Sequence, residues 1–267
     1  MELAGRTALL TGATGGLGRA IAKALAGRGA TLALSARKPE ALEALAAELP
    51  GDGHRVVPAD LAEPGAAERL AADAGEVDVL VANAGLPAAG RMEDFSPEQV
   101  KRALRVNLEA PMILAQSLYP AMLAKGSGHL VFVASLAGKA PSPRSAIYNA
   151  TKFGLRGFAL GLRTDLAPQG VGVSLVSPGF IREAGMFAEA GAKSPMGLGT
   201  STPEEVAMGT VRAIEADKVE VAVAPARQRF LAHFGLASPG IAVRTAGGSA
   251  GQKASVEIAD GHSKDKR

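Results

Sequence analysis

The sequence predicts an α/β chain: one parallel sheet of about seven strands, doubly wound, with helices on both faces. Two observations predict it. Short β-rich runs alternate with amphipathic helical stretches as far as about residue 224, and those stretches are long enough to act as crossovers in βαβ units. No linker or internal repeat divides the 267 residues, so the alternation reads as one domain over 1–244, followed by a polar, glycine-rich tail over 245–267.

The elements follow in order. RTALLT (6–11) is the first strand, and a glycine-rich turn leads from it into helical periodicity over 17–28. ATLALS (30–35) is followed by a helix over 39–49, and HRVVPA (54–59) by one over 64–74. VDVLVA (77–82) precedes a long helical stretch, 97–124, in which Pro111 predicts a bend or a break. GHLVFVAS (128–135) leads to a helix over 145–167 and VGVSLVS (171–177) to one over 203–217, with VEVAVA (219–224) as the last strand. Two segments break this rhythm. Residues 180–202 form an irregular insertion rich in Gly and Ala that carries Met186, Phe187, Met196 and Leu198. The tail has the polar, charge-mixed composition of a disordered segment.

Composition narrows the function. A 47% hydrophobic chain can bury a full core, and the formal net charge is only +3. Its basic residues are scattered without the run or stripe that nucleic acid requires. Zero cysteines excludes disulfides and thiolate sites, and the four histidines (54, 129, 233, 262) lack ligand spacing, so no metal site is expected. No apolar stretch reaches the roughly 18–20 residues of a membrane span. The N-terminus enters a strand within a few residues, leaving no room for a signal peptide, so a cytoplasmic protein is expected.

Directly after the first strand stands TGATGGLG (11–18), opening a helix. Gly12, Gly16 and Gly18 suit a tight turn, a close approach to a pyrophosphate, and close helix–sheet contact; the helix N-terminus then faces the phosphates. This placement predicts a Rossmann-like dinucleotide site. The second strand ends in LSARK (34–38), with Ala36 where an acid would accept from a ribose 2′-hydroxyl and Arg37 beside it. A guanidinium suits a 2′-phosphate, so NADP(H) is expected in preference to NAD(H), which stays possible; alternatively, Arg37 merely starts a solvated loop.

Further along, Asp60 lies in ADLAE, Asn83-Ala84-Gly85 follows the fourth strand, and Asn107 sits in RVNLEAP. Ser135 ends the fifth strand, Tyr148 follows thirteen residues later, Lys152 four after that, and Pro178-Gly179 closes the sixth strand. From Gly5 to Pro225 this order and spacing resemble the short-chain dehydrogenase/reductase family, in its compact single-domain branch. The resemblance implies catalytic roles for Asn107, Ser135, Tyr148 and Lys152. It implies cofactor contacts from Thr11, Gly12, Thr14, Gly16, Leu17 and Gly18, from Asp60 and Leu61 at the adenine, and from Asn83, Ala84 and Gly85. Tyr148, Lys152 (on the nicotinamide ribose), Pro178, Gly179 and Ile181 complete the set. It also implies a homodimer or homotetramer, built through the 97–124 and 145–167 helices.

The chemistry needs a proton at a carbonyl oxygen while the cofactor supplies hydride. A phenol titrates near pH 10, and an ammonium one helical turn away should lower that value, making Tyr148 a usable acid. Ser135 would donate to the substrate oxygen, and Asn107, by resemblance alone, would fix a water linking Lys152 to solvent. Taken singly, Ser135 could just end a strand and Asn107 could be a buried amide satisfied by backbone. Glu183, in PGFIRE (178–183), occupies a place where many family members carry a threonine that anchors the nicotinamide carboxamide. The insertion lies where the family has its substrate lid. Its Met and Phe residues suit an apolar ketone or alcohol, such as a 3-oxoacyl compound or another hydrophobic ketone, or simply pack beneath a loop. Lys139 and Arg144 flank the Ser–Tyr segment and could attract an acidic group or stay solvated; Tyr119 reads as a packing residue. The leading expectation is an NADP(H)-dependent carbonyl reductase or alcohol dehydrogenase acting on a small molecule. The alternatives are an extended-branch epimerase or dehydratase, and a nucleotide-binding sensor or scaffold without turnover.

Overall fold

A computed structural model describes residues 1–191, 194, 197–246, 256–257 and 261. Met196, His262 and most of the expected tail therefore lie outside the described residues. Seven parallel strands form one sheet in the order β3-β2-β1-β4-β5-β6-β7. They are β1 (Thr7–Thr11), β2 (Thr31–Ser35), β3 (Arg55–Val56), β4 (Val79–Ala82), β5 (Gly128–Val133), β6 (Val171–Pro178) and β7 (Glu220–Val223). The helices between them are α1 (Gly16–Ala26), α2 (Pro39–Glu48), α3 (Ala66–Ala74), α4 (Pro97–Leu104), α5 (Ala110–Lys125), α6 (Ala146–Leu166), a short α7 (Met186–Glu189) and α8 (Pro203–Glu215). Two more, α9 (Ala226–Ala237) and α10 (Pro239–Ala246), follow the last strand.

Strand alternation sorts the core into two layers. Ala8 and Leu10 of β1 face Ile21 and Leu25 of α1 and Val211 of α8, whereas Leu9 faces the layer of Leu70, Leu114 and Leu155 from α3, α5 and α6. Tyr119 is half-buried against that second layer, as a packing residue would be. Six of the seven strands fall within the predicted runs and β6 extends one residue past its own, to Pro178; β3 pairs over two residues only. The chain winds outward from β1 to β3, then returns to place β4 on the other side of β1. That reversal parts the loops that follow β1 and β4 and opens a crevice at the carboxyl ends of the strands.

The bend expected at Pro111 takes a different form. The chain stays helical, and a single π turn over Arg105–Glu109 joins α4 to α5. Pro111 has no N–H for the carbonyl of Asn107, four residues before it, so the i→i−4 ladder must be interrupted there, and a π turn absorbs the interruption.

At the opposite end of the sheet, His129 of β5 is buried and its Nε2 lies 2.8 Å from Ser174 Oγ, which donates to the Lys218 carbonyl. Burial pushes the imidazole down to about 4, against a smaller pull upward from Asp217. The folded protein therefore holds this ring neutral, while the unfolded chain takes up a proton below about pH 6.5. Stability should be complete above pH 6.5 and fall by as much as about 3 kcal/mol as pH drops to 4. Urea denaturation across that range should show this loss in the wild type and a flatter profile in His129→Asn. An identical acid limb in both would show that another group is responsible.

Candidate active site

The glycine loop lies at the floor of the crevice. Gly12 adopts φ +65°, and a Cβ there would lie 2.9 Å from Ala84 Cα, so only glycine fits both the backbone and the space. A Cβ on Gly18 would collide with the Gly12 carbonyl, and one on Gly16 with the Ala184 methyl. No side chain caps α1, and its first turn carries no acid, which leaves the partial positive charge of the helix N-terminus facing the crevice unopposed.

Above the loop is a cleft of about 920 Å³. Thr14, Gly16, Leu17, Arg37, Asp60, Leu61, Asn83, Ala84, Gly85, Ser135, Tyr148, Lys152, Pro178, Gly179 and Ile181 all line it, together with Gly12 and Gly18. A glycine cradle at a helix N-terminus beside a cleft of this size fits a dinucleotide. Asp60 Oδ1 accepts from the Ala62 N–H at 2.9 Å, which fixes its carboxylate at the turn. Arg37 is exposed on the rim with Lys38 next to it, and no acid stands at position 36.

Two expected site residues are not on the wall. Thr11 is 1% exposed, and its Oγ1 accepts from the backbone N–H groups of Asn83 and Ala84, both at 3.0 Å. Asn83 completes this clamp, donating from Nδ2 to the carbonyls of Thr11 at 3.0 Å and Gly12 at 3.2 Å. The expected contact between Thr11 and a cofactor is thus corrected: its hydroxyl is occupied in tying the β1 loop to the β4 loop. Asn107 is fully buried; its Oδ1 accepts from Leu86 N at 2.6 Å and its Nδ2 donates to Leu86 O at 2.9 Å. Nδ2 also donates to Thr151 Oγ1 at 3.4 Å, so the side chain pins the loop after β4 from beneath the cleft wall and does not itself face a substrate.

Ser135, Tyr148 and Lys152 do come together. Ser135 follows β5, and Tyr148 and Lys152 project from one face of α6. Ser135 Oγ accepts from Ala137 N at 3.1 Å, and the hydroxyl favours the ionised form of the Tyr148 phenol beside it. Lys152 Nζ donates to the Val133 carbonyl at 3.0 Å and sits 5.6 Å from the centre of the Tyr148 ring. The electrostatics differ from the expected depression of the phenol. Burial pushes Tyr148 up, opposed only by the Ser135 hydroxyl, and pushes the Lys152 ammonium down to about 8. Desolvation favours the neutral form of each group.

Several positioning residues were not singled out in the sequence. Asn149 donates from Nδ2 to the carbonyls of Ala137 at 2.7 Å and Ala140 at 3.1 Å, fastening the loop after Ser135 to α6. Gln228 of α9 accepts from Phe180 N and donates to the carbonyls of Leu198 and Gly199, bracing both ends of the insertion. Neither is distinguishable by type from any exposed amide in a sequence. Lys139, which could have been solvated or substrate-facing, is neither: it is 2% exposed and pairs at 3.0 Å with Glu220 of β7, which also meets Arg156 and Ser177.

The insertion arches over the glycine loop. Ile181 pairs with Ser201 as a short parallel bridge at its base, Phe180 and Phe187 meet at 4.9 Å, and Gly185 lies against Leu17. Met186, Phe187 and Leu198 face the cleft. Glu183 is exposed and engages Arg182 Nε at 2.9 Å, so no threonine-like hydroxyl is offered at that place.

Comparison with known proteins agrees with this geometry. The family model described as short chain dehydrogenase matches residues 6–195. The ketoacyl reductase HetN of Nostoc sp. is 35% identical over 227 residues, covering 83% of this chain and 79% of that protein. A short-chain dehydrogenase from Sphingobium yanoikuyae, solved in complex with NADPH, superimposes with a TM-score of 0.77 at 28% identity, covering 88% of this chain and 94% of that one. The 3-ketoacyl-(acyl-carrier-protein) reductase of Brucella melitensis, solved with NADH, gives 0.74 at 28% identity over 85% and 99%.

Proposed function

The chain belongs to the short-chain dehydrogenase/reductase family and is an NAD(P)-dependent oxidoreductase; from that premise we propose that it is an NADPH-preferring carbonyl reductase acting on hydrophobic ketones. The observation that carries this reading is the Ser135–Tyr148–Lys152 cluster, with Lys152 buried beneath two half-buried hydroxyls, which lines the cleft whose floor is the glycine loop.

When bound, NADPH supplies the hydride that the carbonyl carbon accepts. The protein handles the proton. Burial keeps the Tyr148 phenol protonated at neutral pH, so it is a donor poised beside Ser135, and the two hydroxyls hold the substrate oxygen. As charge develops on that oxygen, the proton passes to it from Tyr148 Oη. Lys152, with a pKa of about 8, is mostly an ammonium at pH 7 and stabilises the phenolate left behind. One of its three protons is spent on Val133, leaving two for the ribose hydroxyls and the phenol. Asn107 acts through its backbone: Pro111 withholds the usual donor, and the Asn107 carbonyl holds the water through which Lys152 is reprotonated.

The remaining wall is assigned to the cofactor. Gly12, Thr14, Gly16, Leu17 and Gly18 take the pyrophosphate, Asp60 and Leu61 the adenine, and Asn83, Ala84 and Gly85 its flank. Pro178, Gly179 and the Ile181 backbone take the carboxamide. Arg37, with no acid beside it, clamps a 2′-phosphate. The apolar side chains of Met186, Phe187 and Leu198 favour an apolar ketone, and the ketoacyl reductases among the relatives make a 3-oxoacyl compound the first substrate to test. Leu104, Met112 and Phe153 are exposed on α4, α5 and α6, which suits a homodimer or homotetramer of a cytoplasmic enzyme built through those helices.

Tyr148→Phe should lower kcat for ketone reduction by at least about a hundredfold while NADPH still binds, as read by quenching and shift of its fluorescence. Undiminished turnover would remove Tyr148 from the mechanism. Arg37→Asp should reverse the order of kcat/KM for NADPH and NADH, and an unaltered ratio would mean that another group reads the ribose. Sedimentation velocity should give a dimer or tetramer at micromolar concentration; a monomer would exclude the assembly.

A further inference from the structure

The two C-terminal helices are built inside out. The face of α9 turned to the protein carries Gln228, Ala232 and Gly235, and Gly235 lies so close to Ala140 that an added Cβ would be 2.8 Å from the Ala140 methyl. The large apolar residues lie elsewhere on the helix, Leu231 and Phe234 toward the cleft and Phe230 away from it. Phe230 is 69% exposed and stacks on Phe234 one turn later, and Leu231 and Leu236 are also exposed. In α10 the small Ala242 is buried while Ile241 and Val243 are 50% and 60% exposed. Half of the twelve exposed large hydrophobic residues among the described ones thus lie within fourteen positions of the chain. A surface helix ordinarily buries its large apolar residues and presents small or polar ones to water.

Basic residues are also concentrated in this part of the sequence. Residues 225–267 hold seven Lys and Arg against three Asp and Glu, a net +4, whereas the preceding 224 residues hold twenty-two against twenty-three. The segment from Ala226 to Ala246 contains Arg227, Arg229 and Arg244 and no acidic residue. Arg229 and Arg244 are exposed and have no ion-pair partner among the described residues. Beyond residue 246 the sequence has only Val256 and Ile258 as large apolar residues. No helix among the described residues is long and apolar enough to cross a membrane.

We propose that the α9–α10 pair docks on an anionic phospholipid surface, with Phe230, Ile241 and Val243 entering the interface and Arg229 and Arg244 meeting lipid phosphates. Aromatic and aliphatic residues flanked by arginines, without acids, are the chemistry of a helix that lies in the headgroup boundary. Leu231, Phe234 and Ala242 belong both to this pair of helices and to the wall of the cleft, so the docked face adjoins the cleft's rim. Docking itself does not depend on which reaction the cleft performs.

The test is co-sedimentation of the full chain with phosphatidylcholine vesicles, with and without phosphatidylglycerol. Binding is expected only to the anionic vesicles and should weaken as salt is raised. Phe230→Ser combined with Val243→Ser should weaken it about tenfold or more. Arg229→Gln and Arg244→Gln should each cost about fivefold. Unchanged thermal unfolding would show that these surface variants fold. No binding at low salt, or equal binding by the Phe230/Val243 variant, would overturn the proposal. So would a wild-type oligomer that the same double variant dissociates, because a second copy of the chain would then be the occupant.

Discussion

The site depends on a clamp between two loops that the sheet itself does not join. Strand order reverses between β1 and β4, so the segments leaving those strands diverge just where a cofactor must be held. Thr11 and Asn83 close that gap with four hydrogen bonds, two into Thr11 Oγ1 and two from Asn83 Nδ2. Every polar atom involved is spent on backbone, which makes the floor rigid at the cost of withdrawing Thr11 from the ligand. Asn107 repeats the device one loop further on, with both amide atoms committed to Leu86. The glycines between these anchors can then be as bare as the pyrophosphate requires, because their conformation is set by neighbours instead of by side chains of their own.

Rigidity and dryness together shape the proton chemistry. A phenol and an ammonium buried side by side are each driven toward neutrality, and the directions at Tyr148 and Lys152 show it. For a reductase that is an advantage. The phenol must arrive protonated, and an alkoxide is a far stronger base than a phenolate, so no depressed pKa is needed for transfer. What the transfer needs is an adjacent positive charge for the product phenolate, and an ammonium of pKa about 8 is still charged at neutrality. Oxidation of an alcohol would need the phenolate at the outset, and burial opposes it.

The parts of this architecture that were legible in the sequence are those governed by local rules. Strand runs, the Gly12–Gly18 turn and the spacing of Ser135, Tyr148 and Lys152 could all be read because each is a short-range pattern. The π turn was not, because Pro111 announces an interrupted ladder without saying whether the helix breaks, bends or widens. Lys139 was misleading for a different reason. Its partner Glu220 lies on the far edge strand, eighty-one positions away, and only the fold brings that half-buried acid to it. Gln228 and Asn149 were invisible because an amide that braces a loop has the same letter as one facing water.

The helices α9 and α10 were missed for a reason that also gives them their interest. Periodicity finds a helix by the apolar stripe it turns inward, and here the inward stripe is Gln228, Ala232 and Gly235. The apolar residues occupy both sides, so no stripe stands out, and the stretch reads as irregular. A sequence that withholds its largest side chains from its own core has not failed to fold; it has left them for something else to bury. Phe230, Ile241 and Val243 are half or more exposed, while the residues of α9 that are buried are Gln228, Ala232 and Gly235. Their presence, on a helix pair that carries three arginines and no acid, is accounted for by what the surface meets and not by what the interior needs.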